Sequence, residues 1–185
     1  MEMVTADPGP ASGVPRPGHP DGIIELAPTV DVRTMKSVLG HFCTGVAVIT
    51  GIDDGEPVGM TVQSLVSASL EPPLVLVCPQ RTSTSWPRIA RGGVFCANIL
   101  NSAQHAVSLK FAKSGGPKFE GVPWRPGRTG APILESALAH VECEVHSVHE
   151  AGDHFIVLGR VVDLAAGGTD GPLLFYRGAF GALAS

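Results

Sequence analysis

Residues 46–62, VAVITGIDDGEPVGMTV, decide the fold of this 185-residue chain. Residues 46–50 are an uninterrupted run of apolar and β-branched residues, which is typical of a buried strand. The next acidic and glycine residues, 53–56 (DDGE), favour a turn, and residues 58–62 return as a second run of strand formers. The segment therefore predicts an antiparallel β-hairpin.

Further predicted strands outnumber the helices around this hairpin. Helical patterns cover residues 31–42, where Asp31 is placed to cap the first turn, residues 86–91, and a segment capped by Asn101 or Ser102. Residues 114–132 are rich in Gly and Pro and are predicted to form a loop. Strand patterns occupy residues 74–78, 94–100, 140–146, 155–164 and 173–176. The chain lacks a regular alternation of strand and crossover helix, so it is predicted to be mainly β, a small antiparallel barrel with a few short flanking helices. A parallel α/β sheet is the second choice.

The length fits one domain, but residues 1–28 differ in composition from the rest. They contain six Pro and four Gly, and only seven of the 28 residues are Met, Val, Ile or Leu. Such a segment buries too little apolar surface to offset its chain entropy, so it is predicted to be a disordered tail. The folded domain is predicted to cover residues 29–185.

The charge content is low and slightly acidic. The chain has a net charge of −4 and 16% charged residues, against roughly 25% in typical soluble domains. It has no run of Lys and Arg, which argues against a nucleic-acid partner. We expect another copy of the chain to cover part of the surface, as in a homo-oligomer.

No apolar run approaches the roughly 20 residues of a membrane-spanning helix, so no membrane association is expected. The N-terminus lacks the basic and apolar regions of a secretory signal, which favours a cytoplasmic location. The four cysteines are far apart and lie in apolar segments, so we expect buried, reduced thiols: Cys43, Cys78, Cys96 and Cys143.

Several common catalytic and metal-binding patterns are absent or poorly placed. The sequence has no G-x-G-x-x-G, no G-x-x-x-x-G-K-[ST] and no G-x-S-x-G motif. His146 and His149 lie three apart on a predicted strand and so point to opposite faces, which argues against a shared metal ion. On the same strand His140, Glu142 and His146 share one face. We predict surface histidines here and no metal ligand.

Three polar segments are better candidates for a site. The hydroxyl-rich residues 59–69 either solvate a loop or line a pocket. Residues 81–85 (RTSTS) end at a predicted helix N-terminus, where they either cap the helix or hold a phosphate. Gly152-Asp153-His154 places an imidazole beside a carboxylate, either for catalysis or as part of a turn.

Together these segments resemble a known family. The segments 42–50 (FCTGVAVIT), 59–64 (GMTVQS), 67–75 (SASLEPPLV), 152–154 (GDH) and 172–178 (PLLFYRG) occur in order. In this order they are similar to the small flavin reductases, the reductase components of two-component flavin-dependent aromatic monooxygenases. The resemblance covers about residues 31–180, nearly the whole predicted domain.

The resemblance implies a homodimeric FMN-binding split barrel, an antiparallel Greek-key fold, with flavin near the dimer interface. It implies that residues 60–65 follow the isoalloxazine and ribityl chain, that Ser67 and residues 82–85 lie near the phosphate, and that His154 approaches the nicotinamide. Gln63 stands where many relatives have Asn. The implied cofactor-binding residues are Thr44, Met60, Thr61, Val62, Gln63, Ser64, Leu65, Ser67, Arg81, Thr82, Ser83, Thr84, Ser85, Lys118, Phe119, Asp153, His154 and Tyr176.

The resemblance also implies an NADH-dependent flavin reductase (EC 1.5.1 type). Such an enzyme transfers hydride from NADH, or NADPH, to FMN or FAD and supplies diffusible reduced flavin to a separate oxygenase. The oxygenase implied is one that hydroxylates aromatic or steroid-derived phenols. His154 is the implied catalytic residue and orients the nicotinamide. A flavin-binding electron carrier of the same fold is the alternative. An oxidase of the pyridoxamine phosphate type would need a pocket richer in Arg and Lys.

Overall fold

A computed structural model describes residues 30–168 and 170–183, so the tail predicted for residues 1–28 lies outside the described part. The helices are α1 Val32–Leu39, α2 Trp86–Gly92 and α3 His105–Ala112, the last preceded by a 3₁₀ turn, Ser102–Gln104. The strands are β1 Thr44–Gly45, β2 Ala47–Asp53, β3 Glu56–Val62, β4 Val66–Leu70, β5 Pro73–Val77, β6 Val94–Ile99, β7 Trp124–Pro126, β8 Pro132–Leu134, β9 Ala139–Ala151, β10 His154–Ala166, β11 Leu174–Tyr176 and β12 Ala179–Gly181. The mainly β prediction is confirmed.

Seven strands form one antiparallel sheet in the order β3-β2-β6-β9-β10-β5-β4. The edge strands β3 and β4 are joined by only the three residues 63–65, so the sheet has to curl until its two edges approach each other. Among the described residues these two edges do not pair. The result is a barrel that is split along one side.

The continuous apolar run of the opening hairpin follows from burial on both faces of β2. Ala47 and Ile49 pack inside the barrel with Phe95 and Val157. The alternate side chains, such as Val48, pack outside it in a second cluster with Leu100, Phe111 and Leu134. A strand buried on both faces carries no polar alternation, which is why residues 46–49 are apolar throughout.

Five short elements were not predicted as strands, and the first of them is β1. β7 and the start of β8 lie in the predicted loop 114–132, β4 lies in the polar stretch 59–69, and β12 follows the last predicted strand. Their side chains are mostly exposed or carry Pro and Gly, so period-two alternation is missing. The cysteine prediction was partly wrong: Cys96 and Cys143 are buried, but Cys43 is exposed.

Helix α1 is capped as predicted, since the Asp31 carboxylate accepts hydrogen bonds from the backbone N–H groups of Arg33 and Thr34. None of its residues is buried. Its apolar stripe is more than half exposed and comprises Val32, Met35, Val38 and Leu39, continued by Phe42. We call these five side chains the α1 apolar face. None of the helices in the described ranges is long and apolar enough to span a bilayer.

Candidate functional site

The predicted site segments meet at the split of the barrel. Met60 in β3 accepts a 3.5 Å hydrogen bond at Sδ from the Ser83 hydroxyl, which lies between β5 and α2. Farther along, the backbone N–H of Cys78 donates to Ser64 Oγ at 2.8 Å. These contacts bring the polar linker between β3 and β4 beside the loop that leads into α2.

The hydroxyl groups of residues 83–85, directly before α2, have two different roles: one caps the helix and two line a cleft. Ser83 Oγ accepts from the backbone N–H of Trp86 at 3.1 Å and so caps the helix. Ser85, the residue at the N-cap position, makes no such side-chain bond and instead accepts from Lys118 Nζ at 3.1 Å. Thr84 Oγ1 is 3.2 Å from Ser114 Oγ. Capping therefore accounts for Ser83 but leaves Thr84 and Ser85 facing the cleft.

Lys118 is a half-buried cation surrounded by neutral acceptors. Its Nζ donates to the carbonyl oxygens of Gly59 at 3.0 Å and Phe111 at 3.2 Å, as well as to Ser85. Burial, and to a lesser extent the charge of Arg88, lowers the pKa of Lys118. No carboxylate of the described residues forms an ion pair with it. A buried ammonium without a negative partner favours binding of an anion.

The cleft beside Lys118 has a volume of about 450 Å³. Thr84, Ser85 and Arg88 line one side of it, and residues 115–117 line the other. The sequence prediction did not include residues 115–117, although Gly-Gly-Pro directly before Lys118 is a turn signal that could have indicated a backbone wall there. Two cations and two hydroxyls give this part of the cleft donors for a phosphate. Glu56 and Glu120 also line the cleft.

Arg88 is held in place by an ion-pair network with β2. Its Nε donates to Asp53 Oδ2 at 2.7 Å, and Arg91 Nε donates to Asp53 Oδ1 at 3.0 Å. The hydrogen bond from Arg88, followed by the bonds from Arg91, lowers the pKa of Asp53. Asp53 therefore fixes α2, and with it the hydroxyls at its N-terminus, against the barrel.

His154 lies at the start of β10, next to the loop before α2. Its Nδ1 is 2.8 Å from Asp153 Oδ1, and this hydrogen bond lowers the pKa of Asp153. Gln80 forms a β-bridge with His154, and the backbone N–H of Arg81 donates to the Asp153 carbonyl at 2.9 Å. The imidazole is thus oriented through Nδ1 while its Nε2 remains available to a bound molecule.

Arg81 is less available for an anion than its sequence position suggested. Its guanidinium forms a 3.1 Å ion pair with Glu150 and lies 5.6 Å from the centre of the Phe155 ring. Both contacts hold it against the β9–β10 hairpin. The arginine that faces the cleft is Arg88 instead.

Thr44 has a buried hydroxyl with no hydrogen-bond partner among the described residues. It lies three residues before Ala47, which pairs with Val62, so it is at the same end of the sheet as the 63–65 linker. Tyr176, on the neighbouring β11, is 45% exposed and meets the His41 ring edge-on at 6.3 Å. A buried hydroxyl without a partner is costly unless a ligand or another chain supplies one.

Other predicted residues have structural partners. The Thr61 hydroxyl donates to the Ser108 carbonyl at 2.6 Å, and Phe119 packs edge-on against Phe111 at 4.9 Å. Val62 belongs to the barrel core and Leu65 packs against it. In contrast, the side chains that remain exposed are Gln63, Ser67 and Thr82. Contacts from Thr61 and Phe119 to a ligand would therefore come from backbone atoms or a ring edge.

Comparison with known proteins finds close relatives. The reductase subunit HsaB of a flavin-dependent monooxygenase from Rhodococcus jostii is 48% identical over 160 residues, covering 86% of this chain and 82% of that protein. The solved structure of nitrilotriacetate monooxygenase component B from Mycobacterium thermoresistibile superposes with a TM-score of 0.80 at 47% identity, covering 82% of this chain and 86% of that one.

A second solved structure carries ligands. The NADH:FAD oxidoreductase SgcE6 of Streptomyces globisporus, in complex with NAD and FAD fragments, has a TM-score of 0.78 at 36% identity, covering 85% of this chain and 98% of that one. The family model described as "Flavin reductase like domain" matches residues 39–184, almost the entire described part. The chain therefore belongs to the flavin reductase like domain family.

Proposed function

We propose that this chain is a flavin reductase that transfers hydride from NADH to FMN or FAD and supplies reduced flavin to a separate oxygenase. The observation that carries the proposal is the cleft at the split, where Lys118 lacks a negative partner and faces Thr84, Ser85 and Arg88. The relatives support it, because their names include reductase subunits of monooxygenases and reductases that use NADH.

The residues present fit a flavin at this site. Lys118, Arg88 and the two hydroxyls provide cations and donors for its phosphate. The linker 63–65 provides backbone groups for the polar edge of the ring system, and the Thr44 hydroxyl offers a hydrogen bond that no described residue takes. When bound, the flavin supplies an acceptor for hydride at its N5 atom.

The protein's own contribution is chiefly positioning. Hydride transfer requires the two rings to stack within about 3.5 Å, and it needs no nucleophile from the protein. Asp153 fixes the imidazole of His154 so that it orients the nicotinamide. Backbone N–H groups of the 61–64 segment favour the negative charge that develops on the flavin.

The role of His154 is tested by His154→Ala. We expect kcat/KM for NADH to fall about 100-fold, because a misplaced ring loses most of the advantage of orientation, while flavin affinity changes little. His149→Ala is the matched control, since His149 is exposed on β9 and its ring contacts Ser147. Unchanged turnover in His154→Ala would show that this residue does not orient the nicotinamide.

The same assay separates an enzyme from an electron carrier. A reductase oxidises NADH only when FMN or FAD is added and turns over many equivalents of flavin. A carrier would retain flavin through purification and show no stimulated NADH oxidation. Crossing NADH and NADPH with FMN, FAD and riboflavin in one steady-state experiment also defines the EC 1.5.1 subtype.

Two finer assignments belong to the same proposal. The oxygenase partner is proposed to hydroxylate an aromatic or steroid-derived phenol, as the family resemblance of the segment 118–124 (KFEGVPW) implies. The HsaB relative is named as a reductase subunit of a monooxygenase. The chain is proposed to be a homodimer, because the exposed α1 apolar face needs a cover. A cytoplasmic location is proposed as well, as the sequence predicts. Neither assignment requires direct contact between this chain and the phenol.

A further inference from the structure

Three potential metal ligands lie together on β9 and β10, outside the proposed flavin site. His140 and Glu142 are two residues apart on β9 and therefore share a face, and the pairing of β9 with β10 sets Asp163 opposite Glu142. Val141 and Cys143, the alternate residues, pack in the barrel core. The three side chains thus project outward, and their ligand atoms lie within 4.8 Å of one another.

The Glu142 carboxylate is fully buried and rigidly oriented. Its Oε1 accepts from the backbone N–H of Arg128 at 2.9 Å, and its Oε2 accepts from the backbone N–H and hydroxyl of Thr129 at 2.7 and 2.6 Å. A Cβ at Gly127 would lie 2.5 Å from this carboxylate, so only glycine leaves room for it. Hydrogen bonds of this kind orient metal-binding carboxylates, and Oε1 keeps a lone pair unused.

The charge at this cluster is incompletely balanced. Two carboxylates face one imidazole, and within the described ranges neither Glu142 nor Asp163 forms an ion pair with Lys or Arg. The nearby Arg128 guanidinium donates to the Val162 carbonyl instead. One imidazole and two carboxylates form a donor set that suits a divalent cation such as Zn²⁺ or Mn²⁺.

A cavity of about 560 Å³ adjoins the cluster on the His140 side. His140 lines it together with Arg125, Glu135 and Asp170, and Asp163 is exposed to solvent. An ion there would be accessible from solvent and would have room for water ligands.

We propose that His140, Glu142 and Asp163 bind one divalent transition-metal ion of the Zn²⁺ class, with water in the remaining positions. Bonds to nitrogen and oxygen of about 2.1 Å bring tetrahedral ligands to about 3.4 Å from one another. The exposed Asp163 side chain has the freedom to close the difference from 4.8 Å. The ion links β9 to β10 and stabilises the hairpin that carries His154 at its other end.

The test uses the full chain after removal of metals with a chelator. Titration with Co²⁺ is expected to give one bound ion per chain, with the visible absorption of a nitrogen- and oxygen-ligated site, displaced by Zn²⁺. Asp163→Asn is expected to weaken Zn²⁺ binding at least 10-fold and to abolish the rise in melting temperature that Zn²⁺ produces. His140→Gln is expected to do the same.

His146→Gln is the matched control, because His146 is an exposed histidine on the same strand and lies outside the cluster. It is expected to bind Co²⁺ like the unmodified chain. NADH oxidation with added flavin checks that Asp163→Asn is folded, since Asp163 is not part of the proposed flavin site. Absence of stoichiometric binding, or equal affinity in Asp163→Asn, would show that these three side chains do not form a metal site.

Discussion

At the scale of single residues, Lys118 is the side chain whose role depends most on its surroundings. Its sequence position indicates only a basic residue before an aromatic one. The structure adds three neutral acceptors, a neighbouring Arg88 and a cleft. A fully exposed lysine would not favour a bound anion to the same extent, because water solvates its ammonium group.

Lys118→Gln is expected to weaken FMN binding roughly 10- to 100-fold, since a hydrogen bond to a charged group contributes about 1.5–3 kcal/mol. Riboflavin has no phosphate, so its affinity is expected to change little. Fluorescence titration with both flavins measures the difference. The control Lys113→Gln removes an exposed lysine at the end of α3. Equal losses for FMN and riboflavin would mean that Lys118 supports the loop without contacting the phosphate.

At the scale of elements, the position of α2 depends on one carboxylate. The helix has only seven residues, too short to be stable by its own hydrogen bonds. Trp86 and Ile89 anchor one face in the barrel core, and Asp53 holds Arg88 and Arg91 on the other. The hydroxyls before α2 are therefore positioned by β2, which is about 30 residues earlier in the chain.

Asp53→Asn is expected to destabilise the fold at pH 7 and to reduce FMN affinity. The pKa of Asp53 is lower in the folded state, so the stabilisation is present above its ordinary value of about 3.9 and is lost as the pH falls through the folded-state pKa. Urea unfolding at pH 7 and pH 3 should give a larger difference from the parent chain at pH 7 than at pH 3.

Asp54→Asn controls for the loss of charge at the same turn. Asp54 is exposed and has a positive φ of 51°, a conformation that Asn also tolerates. It is expected to unfold like the parent chain at both pH values. A difference for Asp53→Asn that was as large at pH 3 as at pH 7 would contradict an electrostatic origin.

At the scale of the whole molecule, α1 presents an apolar face that the other described residues of the chain do not cover. The helix makes a backbone contact with the body of the protein near its C-terminal end, where the N–H of Arg177 donates to the Gly40 carbonyl at 2.9 Å. All five side chains of the α1 apolar face are more than half exposed. Apolar side chains on one helix face favour a protein interface, and the proposed homodimer supplies one.

Met35→Glu is expected to convert the dimer to a monomer, because it places a charge within the α1 apolar face. Light scattering coupled to size-exclusion chromatography at micromolar concentration measures the mass. Ser37→Glu is the matched control, because Ser37 lies on the opposite side of the same helix and should leave the dimer intact. A monomeric parent chain would disprove the dimer, and a dimeric Met35→Glu variant would place the interface elsewhere.

Local patterns in the sequence determined much of the fold. The hairpin at 46–62, the Asp31 cap and most long strands follow from side-chain periodicity and turn residues, which act between neighbours in the chain. The short, exposed strands β4, β7 and β12 were not predicted, because their side chains show no strand pattern. They are strands because their backbones pair with another strand.

The sequence by itself also determined the family and the residue types of the proposed site. Only the tertiary structure decided which of those side chains are available. In that structure Arg81 forms an ion pair with Glu150, and Lys118 donates a hydrogen bond to the carbonyl of Gly59, 59 residues earlier. Asp163 pairs opposite Glu142. The physical reason is that burial and unpaired charge depend on contacts between distant segments, which form only when the sheet curls into a split barrel.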